Sequence, residues 1–345
     1  MYMSSTIKNS ENNITPASRE WAELWINQVE RVISGKREVI EKIVIACLSE
    51  GHVLLEDKPG VGKTTLVQAL SVAAGCSFSR IQFTPDQLPG DIVGMAALRP
   101  TTMELYYRPG PLHAQIVLAD ELNRASPKTQ SALLEAMEER AVTVDGQTHP
   151  LPQPFMLLAT QNPFRHEGTY PLPEAQLDRF LFRLSVGYPK RELEIEMLER
   201  AQQGRSVSLA EPVLDAQMLQ AMQQAVRAVY VDKVIKQYIV SLAEATRTHP
   251  EVELGLSPRA SIAIMRASQA HAWLAGRDYV TPDDVKAIIS AVALHRLSLK
   301  SGLRQQSIRD KDHVLATILR ATPIPRLGRF GVSTSEGLRQ GGGAQ

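Results

Sequence analysis

The segment His52-Val53-Leu54-Leu55-Glu56-Asp57-Lys58-Pro59-Gly60-Val61-Gly62-Lys63-Thr64-Thr65 decides the fold. Its apolar start, 52–55, predicts a short strand buried on both faces. A loop rich in Gly and Pro follows, and the apolar spacing over 63–74 predicts a helix. A loop placed between a buried strand and a helix N-terminus gathers backbone N–H groups around one point, where the helix dipole also favours an anion. Gly60 and Gly62 let the backbone approach phosphate oxygens closely. Lys63 then reaches a β- or γ-phosphate, and the Thr64 hydroxyl is a ligand for Mg²⁺. Pro59, Val61 and Thr65 complete the candidate nucleotide-binding loop. The pattern's first Gly is replaced by Asp57. Asp tolerates left-handed backbone better than most residues, so the loop is expected to survive the exchange.

Further strands are predicted over 80–83, 116–119, 155–160 and 182–186, with a helix over 128–139. Continuous apolar strands alternating with helices predict a parallel sheet covered on both faces, with ligands at the carboxyl ends of the strands. One such end carries Asp120-Glu121, after Ile116-Val117-Leu118-Ala119. Phosphoryl transfer needs one carboxylate for Mg²⁺ and another to orient the attacking water, roles that suit Asp120 and Glu121 respectively. The strand is expected to lie beside the one that precedes the Gly-Lys-Thr loop; capping of the next helix is the competing reading. A second end, Ala159-Thr160-Gln161-Asn162-Pro163, places the Asn162 amide where a γ-phosphate would stand, against the plainer reading of an Asn-Pro turn.

Composition narrows the remaining classes. The chain has 345 residues, 43% hydrophobic and 22% charged, with Lys+Arg 38 against Asp+Glu 37 and a net charge of +1. Such a balance does not describe a protein that coats a polyanion. The two cysteines, Cys47 and Cys76, have no metal-ligand spacing and read as reduced structural thiols. The polar start, 1–18, lacks the basic and apolar parts of a signal peptide, and no apolar run reaches the roughly 20 residues that span a bilayer. No membrane association and a cytoplasmic location are expected.

Helical spacing recurs over 19–49, broken at Ser34-Gly35. Beyond Pro189 it recurs over 190–202, 213–229, 231–248, 258–275 and 283–297, with no strand among them. Ser257-Pro258 and Thr281-Pro282 are helix starts. The expected organisation is a disordered 1–18, an α/β ATPase core over 19–189, an all-helical lid over 190–322 and a disordered tail over 323–345.

The blocks GHVLLEDKPGVGKTTL, IQFTPDQLPGDIVG, VLADELNRASPKTQSALLEAMEE, ATQNP, LPEAQLDRFLFRL and LSPRAS together resemble the MoxR family of AAA+ ATPases, over about residues 28–325. The resemblance implies an α/β AAA+ core with a five-stranded parallel sheet and a helical lid, hydrolysis of ATP with Mg²⁺, and a hexameric ring of identical subunits. It implies a chaperone-like role with a von Willebrand factor A-domain partner, often in metal-cofactor insertion. In Leu177-Asp178-Arg179-Phe180 it implies an arginine finger serving the neighbour's ATP: Arg179, with Arg183 as the alternative. A structural salt bridge is the competing reading for both. Arg259, in Leu256-Ser257-Pro258-Arg259, matches a lid arginine that reaches back to the phosphates. Residues 88–110 match a hairpin inserted into the second helix, and 142–148 a second hairpin with an Asp-Gly turn. A nucleic-acid motor and a chelatase-type subunit are the alternatives. The lack of a basic stripe or stacking aromatics weighs against the motor.

Overall fold

The computed structural model describes residues 17–58, 60–162, 169–202, 210–300 and 307–325. Two helices, α1 (Ala17–Val32) and α2 (Arg37–Leu48), open it and are broken near Gly35 as the spacing predicts. Strand β1 (Val53–Glu56) leads through the Gly-rich loop into α3 (Lys63–Ala73), and β2 (Phe78–Gln82) follows. A five-residue helix, α4 (Pro89–Val93), precedes the hairpin β3 (Gly94–Leu98) and β4 (Leu105–Pro109). No helix returns between this hairpin and β5 (Ile116–Asp120), so the expected split second helix is represented on one side only. Then come α5 (Pro127–Glu139), the hairpin β6 (Ala141–Val144) and β7 (Gln147–Pro150), β8 (Met156–Gln161), α6 (Glu174–Leu177) and β9 (Phe182–Leu184).

Five of these strands form one parallel sheet in the order β2-β5-β8-β1-β9. The order corrects one expectation: β5, with Asp120 at its end, does not lie beside β1. The later strand β8 fills the position between them, with Leu158 in register with both Val53 and Leu118. Strands β1, β5 and β8 are buried almost throughout, and their successive side chains point to opposite faces as pleating requires. Val53, Leu55, Leu118 and Leu158 face one apolar cluster with α1, α2 and α3; Leu54, Val117, Ala119 and Leu157 face a second one with Leu133, Leu134 and Met137 of α5. Each such fully buried side chain is worth about 1.5–3 kcal/mol of burial, so both faces favour this register strongly.

The C-terminal part packs α7 (Arg191–Gln202), α8 (Ala216–Arg227), α9 (Lys233–Thr248), α10 (Pro258–Leu274) and α11 (Pro282–Ala293), all close to the predicted spans. The sequence supplies their starts. Asp215, Asp232 and Ser257 each accept a first-turn N–H, and Pro258 and Pro282 sit where no donor is needed. Two features were not expected. A short antiparallel pair, β10 (Val252–Leu254) with β11 (Ser298–Leu299), ties the α9–α10 link to the segment after α11. A further helix, α12 (Ile308–Ala321), buries Val314, Leu315 and Ile318. The strands are too short to show a period, whereas α12 does carry helical spacing at Val314, Leu315, Ile318 and Leu319 behind the Ser307 cap, a legible signal that was missed.

Among the described residues no helix is long and apolar enough to cross a membrane. The expected disorder of 1–18 and of 323–345 falls outside the described residues, apart from 17–18, which begin α1, and 323–325. Cys47 and Cys76 are free thiols, and burial raises the pKa of each.

Candidate active site

The carboxyl ends of β1, β5 and β8 meet around a cavity of about 390 Å³, within the usual size of small-molecule sites. Gly60, Gly62, Lys63, Thr64 and Thr65 form one wall of it. Gly60 and Gly62 stand at φ 84° and 86°, a backbone region costly for any residue with a Cβ. Val61 turns its side chain towards the apolar core instead, and Pro59 lies outside the described residues. The Lys63 ammonium is half-buried and donates to the carbonyls of Asp57 (2.9 Å) and Lys58 (3.1 Å); burial lowers its pKa.

Asp57 does not use the left-handed conformation that its place in the loop suggested. Its carboxylate works instead. Oδ1 accepts from Ser185 Oγ (2.9 Å) and the Gly187 N–H (3.3 Å), and Oδ2 accepts from the Val186 N–H. Lys36, between α1 and α2, grips the same stretch from its carbonyl side, donating to Val186 O (2.6 Å) and Tyr188 O (2.7 Å). The Gly-rich loop is therefore tied to the chain that leaves β9 for the helical part.

On the opposite wall stand Asp120, Glu121, Thr160 and Asn162. Thr160 joins two strands: its hydroxyl donates to Asp120 Oδ1 (2.6 Å) and accepts from the Glu121 N–H (2.8 Å). Glu121 is left-handed (φ 58°, ψ 46°) and makes no side-chain cap to the turn after it, so the capping reading does not describe it. Its Oε2 accepts from Gln82 Nε2 and Arg124 Nη1, each at 3.0 Å. Asp120 Oδ2 accepts from Arg80 Nη2 (2.7 Å) and Nε (3.2 Å). The Thr64 hydroxyl and the Asp120 carboxylate face one cavity as hard oxygen donors, a set that fits Mg²⁺. Arg80, Gln82, Arg124 and Thr160 were not singled out from the sequence. Arg80 and Gln82 stand in a strand whose inward period carries no chemistry, and only their strand-mate Asp120 gives them meaning.

The arginines lie elsewhere. Arg179 and Arg259 both pair with Glu138 at the end of α5, in a separate cleft that also holds Arg140, Arg266 and Arg296. Arg259, expected to reach back to the phosphates, does not line the phosphate cavity, because Ser257 starts α10 beside Asp178 (3.0 Å) and aims the first turn at α5. Arg296 of the lid is almost fully buried and holds the Asp178-Arg179-Phe180 turn through Asp178 Oδ1 (2.6 Å) and the Phe180 carbonyl (2.6 Å). It too was missed, since a lone Arg after α11 has no motif around it. Arg183 lies on β9 and pairs with Glu56 of β1, largely buried, which is the salt-bridge alternative.

A parallel sheet with this loop, these carboxylates and this cavity defines a phosphate-loop ATPase. Residues 52–182 match the model of the AAA family, ATPases associated with various cellular activities, and residues 244–318 match that of the AAA lid domain. The chain is 49% identical over 300 residues to YeaC of Bacillus subtilis, covering 87% of this chain and 93% of that one. It is 42% identical over 311 residues to the chaperone MoxR1 of Mycobacterium tuberculosis, covering 88% and 82%. A crystal structure from Cytophaga hutchinsonii, whose description suggests an ATPase, superposes with a TM-score of 0.82 at 33% identity, covering 90% of this chain and 96% of that chain. The chain belongs to the MoxR family of AAA+ ATPases.

Proposed function

We propose that the protein couples Mg²⁺-dependent ATP hydrolysis, in a cytoplasmic ring of identical subunits, to the remodelling of a protein partner. The observation that carries the chemistry is the convergence of Lys63, Thr64, Asp120, Glu121 and Asn162 on one cavity. In this reading Lys63 binds the β- and γ-phosphates, Thr64 and Asp120 hold the metal, Glu121 orients the attacking water, and Asn162 senses the γ-phosphate. Mg²⁺ supplies neutralisation of charge on the phosphates. The core runs over 19–189 and the lid over 190–322.

The ring is supported by where the arginines are. Neither Arg179 nor Arg259 lines the cavity of its own chain, and the two share Glu138 in a cleft of their own. In a ring joined head to tail, that cleft would meet the neighbour's phosphates, with Arg179 as the finger and Arg259 beside it. Arg183 is held in a largely buried pair with Glu56 on the sheet, whereas the pair of Arg179 with Glu138 lies in the open cleft, which favours Arg179. Remodelling is supported by the name of a relative, the chaperone MoxR1, and by family likeness alone for a von Willebrand factor A-domain partner and for metal insertion.

The test is capture. Glu121→Gln loaded with ATP should keep both nucleotide and client on the ring, and Lys63→Ala should keep neither. Equal recovery of partner proteins on the two variants would sink the coupling to ATP. Selective recovery of DNA or RNA would replace the protein client with a nucleic-acid one.

A further inference from the structure

Arg80 is a second cation in the phosphate cavity besides Lys63, and no motif announces it. It stands on β2, opposite Leu118 of β5, so that its side chain runs along the sheet towards Asp120, the partner of Gln82 two residues on. Its Nε and Nη2 both donate to a single atom, Asp120 Oδ2, at 3.2 and 2.7 Å, and Nη2 also donates to Gln82 Oε1 at 2.6 Å. The other oxygen of Asp120 is occupied by the Thr160 hydroxyl at 2.6 Å. Asp120 is buried but lines the cavity, and Arg80 holds the oxygen that Thr160 does not. A divalent ion brought to that oxygen would meet a guanidinium within a few ångströms, and like charges that close repel strongly where water is partly excluded. The two cations therefore exclude one another at Oδ2.

We propose that Arg80 is a built-in competitor of the metal ion for Asp120, an internal counter-ion that sets how tightly the site takes Mg²⁺ with its nucleotide. The inference rests on the reading of Asp120 as a metal ligand. The side chain is suited to the exchange. It is 46% exposed, against 13% for that of Asp120, so the arginine has room to swing while the carboxylate stays in place. Once released, its planar fork points into a cavity that takes phosphates, where bidentate contacts are its natural use. Nearby, Gln82 bonds both Arg80 and Glu121, so the release of Asp120 also reaches the water-orienting carboxylate.

The proposal predicts the sign of one effect. The ratio of ADP affinity in excess Mg²⁺ to that in EDTA, by calorimetry, measures what the metal contributes. Arg80→Gln should raise this ratio about two- to fivefold, the scale of a half-exposed ion pair. Electron paramagnetic resonance should show Mn²⁺ taken up with ADP at correspondingly lower concentration. Arg80→Lys, which keeps the charge but loses the fork, should fall between Arg80→Gln and the parent, and serves if the glutamine variant does not fold. An unchanged or lowered ratio in either variant overturns the proposal, because a residue that merely orients Asp120 for the metal would weaken metal binding when lost. Asp120→Asn is the separate control. If it leaves the ratio and the Mn²⁺ signal of the parent unaltered, the assignment of Asp120 to the metal has failed, whatever Arg80 does.

Discussion

Glu121 sits in a left-handed conformation that costs a residue with a Cβ about 1 kcal/mol or more, and the Thr160 hydroxyl, Gln82 and Arg124 hold it there. Strain held at one carboxylate of this cavity fits the proposed role of Glu121 as a positioned base. Glu121→Gln should therefore bind ATP as the parent does and hydrolyse it about 10²–10⁴-fold more slowly, as measured by phosphate release. Turnover near the parent's would move the base elsewhere. Asp57 gives a second prediction. Asp57→Gly restores the common pattern of the loop yet removes the acceptor for Ser185, Val186 and Gly187. We expect it to cost about 1–3 kcal/mol of stability in urea unfolding while ADP still binds. A variant as stable as the parent would show that the ties from 185–187 contribute nothing. Both residues were visible as letters, but their neighbours were not: Gln82 ends β2 and Ser185 follows β9, and only the order of the sheet brings them close.

The two hairpins show what an element adds to its residues. Asp145 and Gly146, at φ 49° and 79°, make the tight turn that the Asp-Gly pair predicts. Nothing in either hairpin alone foretells that they clasp. Tyr107 of β4 stacks on His149 of β7, with ring centroids 3.8 Å apart and 9° between planes, and its hydroxyl donates to the Val93 carbonyl at 2.5 Å. An aromatic pair of this kind is worth about 1 kcal/mol beyond its burial. Tyr107→Ala should free the hairpins from each other. Hydrogen exchange should quicken over 94–109 and 141–150 with the sheet strands unchanged; protection that stays the same in both hairpins would show that the stack does not couple them. The same contrast runs through the helical part. Capped helices with a long apolar stripe could be read from the sequence, whereas β10 and β11 draw their stability from each other, far apart along the chain.

At the scale of the whole molecule, two buried histidines make the fold lose stability as pH falls through the ordinary histidine range. His52 bonds Met137 O and the Leu157 N–H, each at 3.0 Å, and burial pushes its pKa down to about 4 from an ordinary 6.5. Burial holds His295, bonded to Phe180 O, well below the ordinary value as well. The folded chain keeps both neutral while the unfolded chain protonates them, so their contribution is whole above pH 6.5 and is lost as pH falls below it. His52 alone should remove roughly 2 kcal/mol between pH 6.5 and 5. Urea midpoints that do not shift between pH 7.5 and 5 would contradict this. The proposed ring makes its own prediction. Arg179→Ala and Lys63→Ala should each be nearly silent, by about 10³–10⁵ for a lost finger. Mixed together, they should regain part of the activity, because some interfaces then join an intact loop to an intact finger. A co-assembled mixture as dead as its parts would count against action across subunits.

The sequence by itself determined the strand–loop–helix, the carboxylate pair at the end of β5, the parallel sheet and most of the capped helices. Each is written in short-range terms: apolar period, glycine where the backbone must approach a ligand, a cap before a stripe. The tertiary structure alone decided that β8 stands between β5 and β1, that Arg80 and Gln82 hold the two carboxylates, and that Arg179 shares Glu138 with Arg259 away from its own phosphate cavity. Those outcomes depend on which distant elements bury one another's apolar faces. Burial energy is non-directional along the chain, so a local pattern says that a face will be covered but not by what.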